Sequence, residues 1–357
     1  MAESLDEIID IKLFEDDLKF IDPNFIRSIA SIFSYKIYCD SEYLMITTDD
    51  SKYVYGKHIC EWLSLKYHPI RPQQISLLND MKIVQVDSGW NFVAILTDDG
   101  RVYLASNDSN WKTKRTLRLI SNDNDRFKMI ACGARHLLLL RQDGHVFAMG
   151  DNSWGQITGN KSSYRRMIHI KNLENVKLIT CGGDHCLAVT DTEKVYSWGL
   201  NYSGQLGYGD ENKRNTPCLV PFPNSDSSCI KDIVAGMYHS LFLFENGQLW
   251  GCGSNYNGVL GLGEEIKQSK LTKITIKIRQ LTRIPKKQQI NLERIACSRD
   301  RHFSLAYDGS SYYAWGETNN GKWSSPRRLD GHPISFASAS VQVLNSPITF
   351  GLSNIID

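Results

Sequence analysis

A chain of 357 residues, 41% of them hydrophobic, is long enough to bury a large core, and its net charge of +2 argues against a protein made to coat nucleic acid. No apolar run is long enough to cross a membrane as a helix, and the start Met1-Ala2-Glu3-Ser4-Leu5-Asp6-Glu7 is acidic, unlike a secretory signal. The expected setting is cytoplasmic or nuclear, with no membrane partner.

In chain order, residues 1–33 read as an acidic segment with a short helix, and residues 34–357 as one repeat domain. The domain is organised by a fixed interval of fourteen residues between a position that opens one strand and a small residue that closes the next. The pairs are Phe92 to Ser106, His136 to Gly150, His185 to Gly199, His239 to Gly253 and His302 to Gly316, preceded by a worn copy from Glu42 to Gly56. Most opening residues come three positions after a glycine, as in Gly133-Ala134-Arg135-His136, Gly182-Gly183-Asp184-His185 and Gly236-Met237-Tyr238-His239. Between opening and closing residues lie an apolar run, a polar turn such as Asp143-Gly144, and a second run rich in β-branched and aromatic residues. That pattern reads as a β-hairpin.

After the closing glycine the better copies add an Asn and a second glycine, as in Gly199-Leu200-Asn201-Tyr202-Ser203-Gly204-Gln205-Leu206-Gly207. Successive closing positions are 50, 44, 49, 54 and 63 residues apart, a size that suits the blades of a propeller. Six copies leave such a ring one blade short. The apolar positions from Ile334 to Val343 and from Ile348 to Leu352 are expected to supply a seventh blade together with the N-terminal region, which protects edge strands.

The sequence Gly-x-x-His, apolar strand, Asp-Gly turn, aromatic-Trp-Gly, x-Asn-x-x-Gly-Gln-Leu-Gly resembles the regulator of chromosome condensation repeat over roughly residues 34 to 330. The resemblance implies an all-β, seven-bladed β-propeller. The segments 22–33 and 335–350 are most similar to the propeller half of proteins that join these repeats to a BTB domain. The residues beyond the repeats are too few to hold a BTB domain, so none is expected here. The tryptophan signature of the plant ultraviolet-B photoreceptor in this family is absent, with Gly89-Trp90-Asn91 its nearest counterpart.

The repeated residues read as structure before chemistry. His136, His185, His239 and His302 recur as a repeat position and are expected to hydrogen-bond between strands, while Trp198, Trp250 and Trp315 are expected to pack within or between blades. Among nine cysteines, Cys132, Cys181 and Cys297 fall at nearly the same place in three units; Cys181 and Cys186 are a close pair without the second half of a zinc site. Buried free thiols are expected, with no metal, cofactor or catalytic residue. Gly204-Gln205-Leu206-Gly207-Tyr208-Gly209 lacks the Lys-Ser/Thr of a phosphate loop.

One stretch departs from the repeat. From Ile266 to Ile290 there is no acidic residue, and Ile274, Ile276 and Ile278 alternate with Lys273, Thr275, Lys277 and Arg279, ahead of Lys286 and Lys287. Alternation puts an apolar row and a basic row on opposite faces of a strand. Such a strand is either a solvated outer edge or a docking edge for an acidic partner, with Lys273, Lys277, Arg279, Lys286 and Lys287 as candidate contacts. The functional expectation is a non-enzymatic protein-interaction scaffold, similar to the substrate-recruiting propellers of ubiquitin-ligase adaptors. Guanine nucleotide exchange on a Ran-like small GTPase, the activity of the family's founder, and chromatin attachment are the alternatives.

Overall fold

The computed structural model describes residues 14–37, 40–108, 111, 113, 115–122, 124–222, 229–276, 290–299, 302–319, 321–330, 333 and 339. Among them, strands form six four-stranded antiparallel sheets, each built from four consecutive strands. These blades span residues 29–74, 83–119, 127–169, 176–219, 230–274 and 294–328, one for each repeat copy. The first strands of successive blades lie side by side around a common axis, and the fourth strands form the outer edges.

The unbroken apolar runs are explained by burial on both faces. Strand His136–Arg141 sends Leu137 and Leu139 towards blade two, against Ala94 and Leu104, and Leu138 and Leu140 towards blade four, against Ile179 and Ala188. Blades four and five share a layer of Leu187, Val189, Ile233 and Phe242, and blades five and six one of Leu241, Leu243, Ile295 and Ala306. Each of blades two to five is thus an apolar sheet between two others, and the hydrophobic driving force acts on the stack.

Residues that flank the blades in sequence pack on the two terminal sheets. Helix Glu15–Leu18 and Ile21 bring Phe14, Leu18 and Ile21 onto Ile32, Tyr43 and Met45 of blade one. At the other flank, fully buried Ala339 packs on Phe303, Leu305 and Ala314 of blade six. The rest of the segment expected to form a seventh blade lies outside the described residues. The helix Pro23–Ser28, capped by the Asp22 side chain, leads directly into a first strand that starts at Ile29.

The fourteen-residue interval is a strand register. Phe92 faces Ser106, His136 faces Gly150, His185 faces Gly199 and His239 faces Gly253. In blade one Tyr43 faces Tyr55, which sets Glu42 opposite Gly56; the Glu42 carboxylate accepts the His58 and Ile59 N–H groups, 3.0 Å each, and caps helix Lys57–Trp62. Blade six departs from the expectation. Phe303, not His302, faces Gly316, because the hairpin turn between Tyr307 and Tyr312 holds four residues where that between Val189 and Val195 holds five. In addition, the turn between Cys297 and Ser304 is two residues longer than that between Cys181 and Cys186. Phe303 thus takes the repeat position and His302 lies one step before it, while the longer turn frees Arg299 to reach Asp87.

Candidate docking face

The opening glycines are required by contact. A Cβ on Gly133, Gly182 or Gly236 would lie about 2.0–2.1 Å from the ring of the histidine three residues on. Gly150, Gly199, Gly253 and Gly316 instead have φ between 101° and 109°, and a Cβ there would meet the carbonyl of Arg135, Asp184, Tyr238 or His302. The glycines therefore let each histidine lie flat on its own turn and point at the next blade.

There the rings make one repeated contact. His185 Nε2 is 2.9 Å from Ser240 Oγ, His239 Nε2 is 3.3 Å from Ser304 Oγ, and His136 Nε2 is 3.1 Å from Cys186 Sγ. Ser240 and Ser304 donate onward to the carbonyls of Gln205 (2.7 Å) and Val259 (2.9 Å), so each accepts from a neutral imidazole carrying its proton on Nε2. The same carbonyls, and that of Gln156, receive a second donor from the position before the closing glycine: Trp198 Nε1 to Gln156 at 2.8 Å, Cys252 Sγ to Gln205 at 3.3 Å, Trp315 Nε1 to Val259 at 2.6 Å. Trp250 lies two residues before Cys252 and does not share the place of Trp198 and Trp315. Burial, aided by neighbouring His136 and His302 respectively, lowers His185 and His239 to about 3.

The loop asparagines are likewise turned inward. Asn152, Asn201 and Asn255 accept the N–H of Ile157, Leu206 and Leu260 at 2.8–2.9 Å, and their amides donate to carbonyls at the far end of the same loop. What remains for solvent is the residue beside each asparagine. Tyr202 is 58% exposed and Tyr256 56% exposed. Trp154 packs edge-on to Tyr202 at 5.1 Å, and His302 to Tyr256 at 5.1 Å, with the Lys322 ammonium 5.2 Å above the Tyr256 ring. Exposed Trp90 carries the Arg135 guanidinium 5.3 Å from its ring centre. Backbone bonds tie the turns into one surface: Trp90 N–H to Ala134 O (2.8 Å), Ala134 N–H to Gly183 O (2.9 Å), Gly183 N–H to Met237 O (3.1 Å).

The basic stretch lies elsewhere. Lys273 is on the outer strand Gln268–Ile274 of blade five, exposed and opposite Trp250, while Ile274 is buried and Ile276 half-buried, so the alternation holds that far. Lys277, Arg279, Lys286 and Lys287 lie outside the described residues. Nearby Lys267 is paired with Glu211 at 2.5 Å. Eight cysteines are free among the described residues, six of them buried. His136, Cys181 and Cys186 offer three ligand atoms within 4.8 Å of one another. Sequence spacing misses this group because the histidine comes from blade three and the cysteines from blade four.

Comparison with known proteins agrees with the fold. The ultraviolet-B receptor of Arabidopsis thaliana is 27% identical over 261 residues, covering 68% of this chain and 58% of the receptor. The human regulator of chromosome condensation is 26% identical over 268 residues, covering 67% of this chain and 61% of the regulator. The canine X-linked retinitis pigmentosa GTPase regulator matches at 31% over 142 residues, only 14% of its length. The chain spans less than two thirds of the length of each of these relatives. The crystal structure of Prp20p from Saccharomyces cerevisiae superimposes with a TM-score of 0.67 at 21% identity, over 87% of this chain and 79% of that one. Residues 35–340 match the family model described as RCC1-like domain, and the chain belongs to that family.

Proposed function

We propose that the chain is a protein-interaction scaffold that binds its partner through the turn face bearing Trp90, Arg135, Trp154, Tyr202 and Tyr256. One observation carries the reading: the repeated histidines, asparagines and buried tryptophans of this face are spent on internal hydrogen bonds, while the aromatic residues beside them are left at the surface. Large, stiff aromatics and arginine are the side chains that anchor protein interfaces. A scaffold role similar to substrate-recruiting propellers of ubiquitin-ligase adaptors fits this surface. The second reading is nucleotide exchange on a small GTPase, supported by Prp20p, whose structure is described with its binding to Gsp1p and histones.

Both readings are tested on the intact chain with Trp90, Tyr202 and Tyr256 changed to Ala and, separately, with Lys273 changed to Glu. Proximity labelling in cells, then binding measurements with the purified partner, should show the triple variant losing at least tenfold in affinity and the Lys273 variant unchanged. The reverse pattern moves the docking site to the basic outer strand. Acceleration of nucleotide release from a Ran-type GTPase by the wild-type chain selects the exchange reading.

A further inference from the structure

At the interface between blades three and four the repeated His-to-hydroxyl contact is replaced by a group of different chemistry. Cys186 stands where Ser240 and Ser304 stand in the next two blades, and directly across the strand pair from it is Cys181, where blade five has Ala235. Cys181 Sγ and Cys186 Sγ are 4.0 Å apart, His136 Nε2 is 3.1 Å from Cys186 Sγ, and all three ligand atoms lie within 4.8 Å of one another, fully buried. Two sulfurs and one imidazole nitrogen at these separations can converge on a single cation at ordinary bond lengths of roughly 2.0–2.3 Å with side-chain adjustments of a few tenths of an ångström.

The geometry points to a buried three-coordinate site for a thiophilic closed-shell cation, Cu(I), held by Cys181, Cys186 and His136. Softness selects thiolate-binding ions over magnesium or calcium. Coordination number separates the remaining candidates. Zinc takes four ligands, with a water as the fourth only where the site is open; this group is buried and no fourth His, Cys, Asp or Glu joins it among the described residues, whereas a closed-shell monovalent ion is satisfied by three. Binding releases the two thiol protons, leaves the neutral His136 imidazole with its proton on Nδ1 so that Nε2 is free to bind, and forms two Cu–S bonds and one Cu–N bond, with no change of oxidation state. The hydrogen bonds lost are those among the three ligands themselves, His136 Nε2 with Cys186 Sγ (3.1 Å) and Cys181 Sγ with Cys186 Sγ (4.0 Å), together with Cys181 Sγ to Ala131 O (3.3 Å) and Cys186 Sγ to Gln156 O (3.4 Å); the Gln156 carbonyl keeps Trp198 Nε1 as its donor. Because the group is shut in between two blades, the cation is loaded as the chain folds.

The test uses protein expressed in medium supplemented with copper or with zinc and purified under reducing, oxygen-free conditions, with metal content read by elemental analysis and native mass spectrometry. The comparison variant is Cys181→Ala with Cys186→Ser, which copies the Ala235 and Ser240 pair of blade five and so is built to fold. A second variant, Cys218→Ser with Cys229→Ser, removes the two cysteines that are not buried among the described residues. Expected are one copper per chain in the wild type and in the Cys218/Cys229 variant, none in the Cys181/Cys186 variant, and a higher melting temperature only where copper is retained. Absence of copper from the wild type, equal copper in the Cys181/Cys186 variant, or zinc bound in its place overturns the assignment.

Discussion

Arg299 of blade six forms an ion pair with Asp87 of blade two, although 212 residues separate them in sequence. Their side chains are only 13% and 2% exposed, and the Asp87 carboxylate also accepts the N–H of Ser88 and of Cys132 in blade three, 2.8 Å each. One carboxylate at the axis therefore holds strands from three blades. Replacing Arg299 by Met leaves that carboxylate buried without its cation, which typically costs about 3–5 kcal/mol. Urea unfolding should report a loss of that size for Arg299→Met, and a smaller loss when Asp87→Asn is added. Equal stability of wild type and Arg299→Met would mean that the pair is solvated in solution.

The contact between opening glycine and histidine predicts a specific rescue. A Cβ on Gly236 would lie 2.0 Å from the His239 ring, although the glycine needs no unusual backbone angle. Gly236→Ala should destabilise by about 2–3 kcal/mol, as overpacking does. His239→Ala opens the space, so the double variant should lose less than the sum of the singles by at least about 1 kcal/mol. Strict additivity would assign the role of Gly236 to backbone freedom.

Acid should weaken the interface between blades five and six. His239 is lowered to about 3 in the folded chain, first by burial and then by the charge of His302, against 6.5 as its ordinary value. A depressed histidine means that the unfolded chain binds more protons, so stability is lost as pH falls from about 6.5 towards 3. His239→Gln retains an amide N–H for Ser304 but does not titrate in this range. Its urea midpoint should fall less steeply than that of the wild type between pH 7 and pH 4, and parallel curves would remove His239 from the account.

Glu42 acts with the opposite sign. Burial raises its carboxyl to about 7 from 4.5, against the lowering effect of the two N–H groups it accepts. Because the folded form holds its proton more tightly, the group's contribution is most favourable below pH 4.5 and is lost as pH rises to about 7. The stability of Glu42→Gln relative to wild type should improve as the pH is raised from 5 to 8. A constant difference would place the wild-type carboxylate in contact with solvent.

The architecture was legible because it rests on intervals. A hairpin fixes its partners by counting, so the distance from His136 to Gly150 in sequence is the register in space. Counting fails where length changes: one residue fewer in the turn between Tyr307 and Tyr312 shifts the partner of Gly316 from His302 to Phe303, and the apolar character of Phe303 was the available sign. The candidate docking face was only half legible. Asn152, Asn201 and Asn255 marked the loops, but a buried amide and an exposed tyrosine next to it look equally polar in a string of letters. The His136, Cys181 and Cys186 group was not legible, since it joins neighbouring repeats. Of the basic stretch, Lys273 occupies the exposed row that alternation predicts.

The bracket around the loop carbonyls has a bearing on how such a ring can change size. The acceptor, Gln156, Gln205 or Val259, belongs to one blade, and its donors belong to the next. Excision of residues 200–253 would join the third strand of blade four to the loop of blade five, leaving Val259 facing Ser304 and Trp315 as before and His185 opposite Ser304. No polar group of the bracket would lose its counterpart. Hydrogen bonding in this bracket is thus blind to the number of blades, which must be set by the angle at which neighbouring apolar layers wedge together and by contacts near the axis such as Arg299 with Asp87, so circumference can drift by whole modules while these joints stay the same.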